Sequence, residues 1–183
     1  MRLLGYLNHA DMGNYAASLA NMAPGRAPDI TTTRQVGAIK YGGGLNLEQP
    51  LADAGDTGLF ARFGWDDGQT ESFAYTEADW AVSLGSQVSG AHWRRPDDRL
   101  GLALGVDGLS AQHEAYLAAG GLGFLLGEGK LHYAPETIFE SYYSWHVAGP
   151  FAVALDYQFV ANPGDNVDRG PASILGARTH LEF

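Results

Sequence analysis

Apolar residues recur along this chain at every second position, the period of a strand rather than of a helix. The clearest run is 151–160, FAVALDYQFV: Phe151, Val153, Leu155, Tyr157 and Phe159 share one face, and Ala152, Ala154, Asp156, Gln158 and Val160 the other. The run 137–147 sets Phe139, Ser141, Tyr143, Trp145 and Val147 against Ile138, Glu140, Tyr142, Ser144 and His146. Similar alternation covers 79–89, 99–106 and 170–183, with shorter versions at 2–8, 34–46 and 58–65. These are eight candidate strands. One stretch departs from the rule. Residues 110–119 open on Ser110, carry Glu114 early and stop at Gly120-Gly121, which predicts a short capped helix.

Connections between the candidate strands alternate in length. Residues 148–150 and 92–98 are short, and 47–57 is intermediate. Residues 10–33, 66–78, 107–134 and 162–169 are long. A transmembrane β-barrel alternates in this way, with short periplasmic turns on one side and longer extracellular loops on the other. The content of the less apolar face points the same way. It is mostly Gly, Ala and Ser with isolated charges, and the whole chain has only two lysines, Lys40 and Lys130. A solvated strand face on a soluble protein carries far more charge than this. The predicted class is therefore an all-β, antiparallel transmembrane β-barrel with one short helix in a long extracellular loop. Trp65, Trp80, Tyr143, Trp145, Phe151, Tyr157 and Phe183 are read as aromatics of its interfacial girdles.

Composition narrows the chemistry. The 183 residues carry 11 Lys and Arg against 21 Asp and Glu, a net charge of −10, with no basic run to engage phosphates, so no nucleic-acid partner is expected. At 45% hydrophobic and 17% charged the chain is not a disordered one. Zero Cys removes disulfides, thiolate metal sites and Cys nucleophiles. No apolar run reaches the ~20 residues of a spanning helix, and no signal peptide is visible. The six His show no i,i+3 or i,i+4 spacing, and no G-x-S-x-G occurs, so neither a metal, a cofactor nor a hydrolase centre is expected.

The charges on the sparse face are the candidate functional set. Arg62, Glu140, Asp156 and Arg178 sit there, and Lys40 is expected to join them. An Arg or Lys on the lipid face near the midplane costs about 2–4 kcal/mol. Turned inward, such groups either pair with one another across strands or offer donors and acceptors to a solute, and both readings stand.

Several segments together resemble the OprB family of carbohydrate-selective porins. They are Phe60-Ala-Arg-Phe-Gly-Trp65 with Asp67-Gly68, Phe73-Ala-Tyr-Thr-Glu77, His113 to Gly129, Lys130-Leu-His-Tyr133 and Pro135-Glu136. Asp156-Tyr-Gln158, Asn162-Pro163, Asp168-Arg-Gly-Pro171 and Gly176-Ala-Arg178 with His180 complete the set. Gly164-Asp165 stands where that pattern leads one to expect Ala-Tyr. The resemblance implies a barrel of about sixteen strands in the Gram-negative outer membrane, taking up carbohydrates such as glucose by passive diffusion and catalysing nothing. Residues 1–183 would form one porin domain, the C-terminal half of that barrel, with the signal peptide and the first strands absent.

The pore lining so implied is Arg62, Glu140, Asp156 and Arg178, with Tyr142, Gln158, His180 and Lys40. Phe183, with Leu181 and Thr179, looks like the terminal signal read by the barrel-assembly machinery. Expected partners are sugars, outer-membrane lipid and that machinery. Because open sheet edges are not tolerated in lipid, the chain is expected to be completed by a missing N-terminal half, to associate with a second copy, or to close on itself as a small eight-stranded barrel. Two alternatives remain at this point: a soluble β-sandwich that binds carbohydrate, and a barrel enzyme.

Overall fold

The computed structural model describes residues 1–72 and 77–181. The expected terminal signal Phe183 and the segment 73–76 of the Phe73 motif lie outside the described residues. Eight strands form one sheet in chain order, each antiparallel to the next. They are β1 (Arg2–Met12), β2 (Gln35–Ala52), β3 (Thr57–Asp66), β4 (Trp80–Ser89), β5 (Arg99–Gly108), β6 (Glu136–Ala148), β7 (Phe151–Ala161) and β8 (Ala172–Leu181). Four of them are 10 residues long. That length suits a tilted strand crossing a bilayer, which needs about 9–11 residues.

The register brings the alternating faces into line. Leu59, Ser86, Leu102, Ser141, Tyr157 and Leu175 are successive partners across six strands. The next row on that face runs Leu47, Ala61, Leu84, Leu104, Phe139 and Phe159. Nothing in the described chain covers this face: Leu155 is 64% exposed and Leu175 84%. A soluble sandwich buries such a face against a second sheet. All eight strands belong to one sheet, so that alternative falls. The sheet ends at β1 and β8, which do not pair with each other among the described residues.

The buried apolar cluster lies among the long loops, off the sheet. It comprises Tyr15, Ile30, Leu109, Tyr116 and Leu117. Tyr116 and Leu117 come from α2 (Ala111–Ala118), the helix expected from sequence, with Ser110 as its N-cap accepting from the His113 amide. Tyr15 comes from α1 (Tyr15–Ala20), a six-residue helix that the period-two reading leaves inside a loop. Asn14 caps it by accepting from the Ala17 amide.

Two further differences have local causes. Strand β2 continues to Ala52, where the sequence pattern stops it at Asn46. Pro50 does not end it, because the ladder shifts register between Pro50 and Ala52, and a strand end tolerates a missing N–H. The turn is then only Asp53 to Asp56, with Asp53 and Ala54 at positive φ. Among the aromatics, Trp65 and Trp80 are direct partners at the long-loop ends of β3 and β4, and Tyr143 and Trp145 lie toward the short-turn end of β6. Tyr157 sits mid-strand, away from either girdle.

Candidate functional site

The face opposite the leucines carries the candidate site. Its rows follow from the same register. One runs Glu48, Phe60, Gly85, Ala103, Glu140, Gln158 and Ile174. The next runs Gln87, Gly101, Tyr142, Asp156 and Gly176, and the one after it Ser89, Arg99, Ser144, Ala154 and Arg178. His180 then pairs with Ala152. Six of the eight residues expected in the lining therefore converge on three neighbouring strands, β6 to β8.

Small residues on this face leave room for aromatic rings to lie across the neighbouring strand. Tyr142 faces Gly101 in the ladder, and its ring occupies the space a side chain there would need. Its hydroxyl donates to Gln87 Oε1 at 2.9 Å, two strands away. Phe60 lies over its direct partner Gly85 in the same way, and Tyr6 over Gly42. The effect is to replace the missing contacts of a strand glycine with a ring from its partner. Arg62 stands apart from the β6–β8 group, with its guanidinium carbon 4.7 Å from the Phe60 ring centroid.

Glu140 and Asp156 sit diagonally across β6 and β7, where each carboxylate feels the other, and the Arg178 charge acts on Glu140. Among the described residues Arg178 makes no hydrogen bond or ion pair within 4 Å, while its charge acts on Glu140 and Tyr142. Arg99, which the sequence reading placed on this face without singling it out, forms an ion pair with Asp56 at 2.5 Å. Gln87 and Ser144 lie on the same face. Their only sequence signal is parity with the charged positions of adjacent strands.

Lys40 has a different setting. It is 6% exposed, 3.4 Å from Asp66 and 4.0 Å from Asp79, beneath the long loops. Asp79 also accepts from the Ser110 amide at 2.7 Å and contacts His113 Nδ1 at 3.0 Å. Burial pushes the Asp79 carboxyl up, but His113, the Ser110 amide and Lys40 outweigh it and hold it below the usual range. His113 is fully buried and stacks on Tyr15 at 4.2 Å. Lys40 thus helps fix loops to strands, a role no spacing in the sequence announces.

Two more carboxylates tie the loops down. Glu71 takes the Gly13 amide at 2.8 Å and two bonds from Arg34. Its burial raises the carboxyl, and Arg34 with the amide brings it below its ordinary value. Glu77 accepts from the consecutive amides of Phe124, Leu125 and Leu126. Such an arrangement holds the long β5–β6 loop over the end of the sheet by charge-assisted bonds.

The family model of the carbohydrate-selective porin, OprB family, matches residues 1–183. No curated protein matches the chain. Among solved structures, the high-pH structure of Pseudomonas putida OprB is similar over 99% of this chain, with a TM-score of 0.76 at 19% sequence identity. That likeness is one of fold, and it covers 44% of the OprB chain, so this chain spans less than half the length of that neighbour. With the family model matched from end to end and the strands, faces and loops in agreement, the chain belongs to the OprB family of carbohydrate-selective porins.

Proposed function

We propose that this chain forms part of a carbohydrate channel in the outer membrane of a Gram-negative cell, passing glucose and related sugars by passive diffusion and catalysing no reaction. The observation that carries the reading is the division of one sheet into two faces. One face is a continuous exposed field of Leu, Val and aromatics, suited to lipid. The other holds Arg62, Glu140, Asp156, Arg178, Tyr142, Gln158 and His180 among glycines and alanines, suited to a wet interior. Arg and carboxylates supply donors and acceptors to hydroxyls, and the Tyr142 and Phe60 rings supply apolar faces for the carbon side of a sugar. Lys40 contributes from beneath the loops, through Asp66 and Asp79.

The free edges of β1 and β8 are closed by further strands, since each unsatisfied backbone group in hydrocarbon costs several kcal/mol. Those strands come from an N-terminal half or from a second copy, and Phe183 hands the product to the barrel-assembly machinery. Liposome swelling tests the core of this. The protein is purified from outer membranes in the assembly that contains this chain, and swelling is followed in isotonic glucose. Swelling faster than in protein-free vesicles is the expected result. Indifference to sugar, or recovery of the chain from the soluble fraction without detergent, would overturn it.

A further inference from the structure

The sparse face contains a recess of about 340 Å3. It lies toward the short-turn end, and Arg99, Tyr142, Ser144, Ala154, Arg178 and His180 line it. Its volume falls in the range of small-molecule sites, about 300–1,000 Å3. Arg99 and Arg178 occupy the same ladder row, separated by Ser144 and Ala154. The two residues between them are small, so the guanidiniums form walls over a low floor. His180 follows one step nearer the short turns, opposite Ala152. Tyr142 bounds the recess on the other side, held in place by Gly101 beneath it and Gln87 at its hydroxyl.

The lining itself is cationic, with Arg99 and Arg178 beside His180, while Asp156 lies one ladder row from Arg178 and Glu140 two. No carboxylate lines it. Asp56 pairs with Arg99 at 2.5 Å from the rim, and Glu140 with Asp156 lie further along the face, where Arg178 is felt by Glu140. That leaves Arg178 without a hydrogen-bonded partner among the described residues, beside an imidazole, a phenol and a Ser hydroxyl. A planar guanidinium with free N–H groups is the side chain best matched to a carboxylate, which it can hold through two parallel bonds. Among the described residues the recess is bounded by strands β4 to β8.

We propose that this recess is a subsite for sugar acids, monosaccharides bearing a carboxylate, with Arg178 taking the carboxylate and Tyr142 and Ser144 facing the ring. The inference rests on the channel reading above and refines it by naming a charged class of solute beside neutral sugars. The acid pair Asp156 and Glu140, one and two ladder rows from Arg178, then borders the side of the recess that takes the neutral hydroxyls of the sugar.

The test uses the protein purified from outer membranes and inserted in planar bilayers. Glucuronate, glucose and inorganic phosphate are added in turn, and the half-blocking concentration of the single-channel current is read. Single-channel recording reports only folded, inserted protein, so a poorly folding variant does not confuse the result. Glucuronate should block at a concentration about tenfold below glucose, the scale of one charge-assisted contact. Arg178→Gln should remove that advantage, and Arg178→Lys should restore part of it. Equal blocking by glucuronate and glucose in the unaltered protein overturns the subsite while leaving the neutral-sugar channel standing. So does an Arg178→Gln channel that keeps the preference. Phosphate blocking as well as glucuronate overturns the sugar part, leaving a site for anions alone. A channel indifferent to all three fails the channel reading itself, and this inference with it.

Discussion

The ring of Tyr142 on β6 lies over Gly101, its direct partner on β5, in space that any side chain at that position would need. The strand glycine and the ring are one unit, because the phenol then reaches Gln87 on β4. Gly101→Ala should push the ring off the sheet, break the bond to Gln87 and cost about 1–3 kcal/mol, the usual range for overpacking. Tyr142→Phe should keep the ring and lose only the hydrogen bond, about 1 kcal/mol. Urea midpoints of the reconstituted protein, read by the heat-modifiable gel mobility of folded barrels, compare the two. A larger loss from Tyr142→Phe than from Gly101→Ala would show that the hydroxyl, and not the fit of ring to glycine, sets the position.

Asp98 organises the short-turn end. It is 1% exposed and takes only donors: Arg95 through two nitrogens, the Tyr143 hydroxyl and the His146 amide. Arg95, Tyr143 and the amide, against the opposing effect of burial, bring its carboxyl down to about 2. A carboxylate depressed in the folded state stabilises above its unfolded value, about 3.9, and the contribution is lost as pH falls through the folded one. Acid should therefore loosen this end between about pH 4 and pH 2, read by amide exchange of residues 90–98. Asp98→Asn places N–H groups against donors and should cost about 2 kcal/mol at neutral pH, with that acid dependence gone.

Asp165 behaves in the opposite sense. It is 2% exposed in the β7–β8 loop, where burial first, then Asp107, Glu136 and Asp79, raise its carboxyl to about 7 against one bond from the Glu136 amide. A carboxyl raised on folding gives stability that is complete below its unfolded value and lost as pH rises through the folded one. The loop should tighten on acidification across the window from about pH 7 down to about pH 4, with little change above the folded value near 7. Asp165→Asn keeps an oxygen for the Glu136 amide and removes the charge, so the loop should be better protected from proteolysis at pH 8 and insensitive to pH. Greater protection at pH 8 than at pH 5 in the unaltered protein would contradict the assignment.

Much of this architecture was legible because a period of two puts every strand residue on a stated side. The leucines of β4, β5 and β7 share a face in the structure as they do in the sequence, and Arg178, Glu140 and Asp156 share the other. Register between strands has no such signature, so nothing in the sequence placed Arg99 and Arg178 on one row. The loops were least legible. Helix α1 is six residues long and has no clear periodicity, and its Tyr15 is buried by partners from distant segments, among them Tyr116 and the stacked His113, nearly a hundred residues away. Lys40 has the parity of a lining residue, yet Asp66 and Asp79, delivered by other segments, draw it under the loops. Pro50 reads as a break, but at a register shift it ends nothing.

Glu77 is a further case of long-range capture with a direct test. It accepts from the amides of Phe124, Leu125 and Leu126; the Phe124 and Leu125 side chains are exposed, as is Leu122, while Leu126 packs against the buried cluster. Glu77→Gln halves the acceptor oxygens and removes the charge, which should cost about 1.5–3 kcal/mol in holding that loop. The expected outcome is faster cleavage by chymotrypsin after Phe124 with unchanged strand protection. Equal cleavage rates would mean the loop is held by the Tyr116 hydroxyl, which bonds both the amide and the carbonyl of Leu122.

The orientation of the sheet can be read from two adjacent positions on β5. Leu102 is 43% exposed on the apolar face, and Ala103 is on the other, directly opposite Glu140. An Arg at position 102 must enter hydrocarbon and should cost about 2–4 kcal/mol near the midplane. An Arg at position 103 meets a carboxylate in water and should cost little, because the added cation pairs with Glu140. Leu102→Arg should therefore lower the yield of folded protein in outer membranes severely, while Ala103→Arg is assembled and narrows the channel. Assembly of Leu102→Arg with loss of Ala103→Arg would invert the faces, and every role assigned to Arg178, Glu140 and Tyr142 depends on their not being inverted. One residue of displacement along a strand exchanges lipid for water, so this pair measures the single geometric fact from which the channel reading is built.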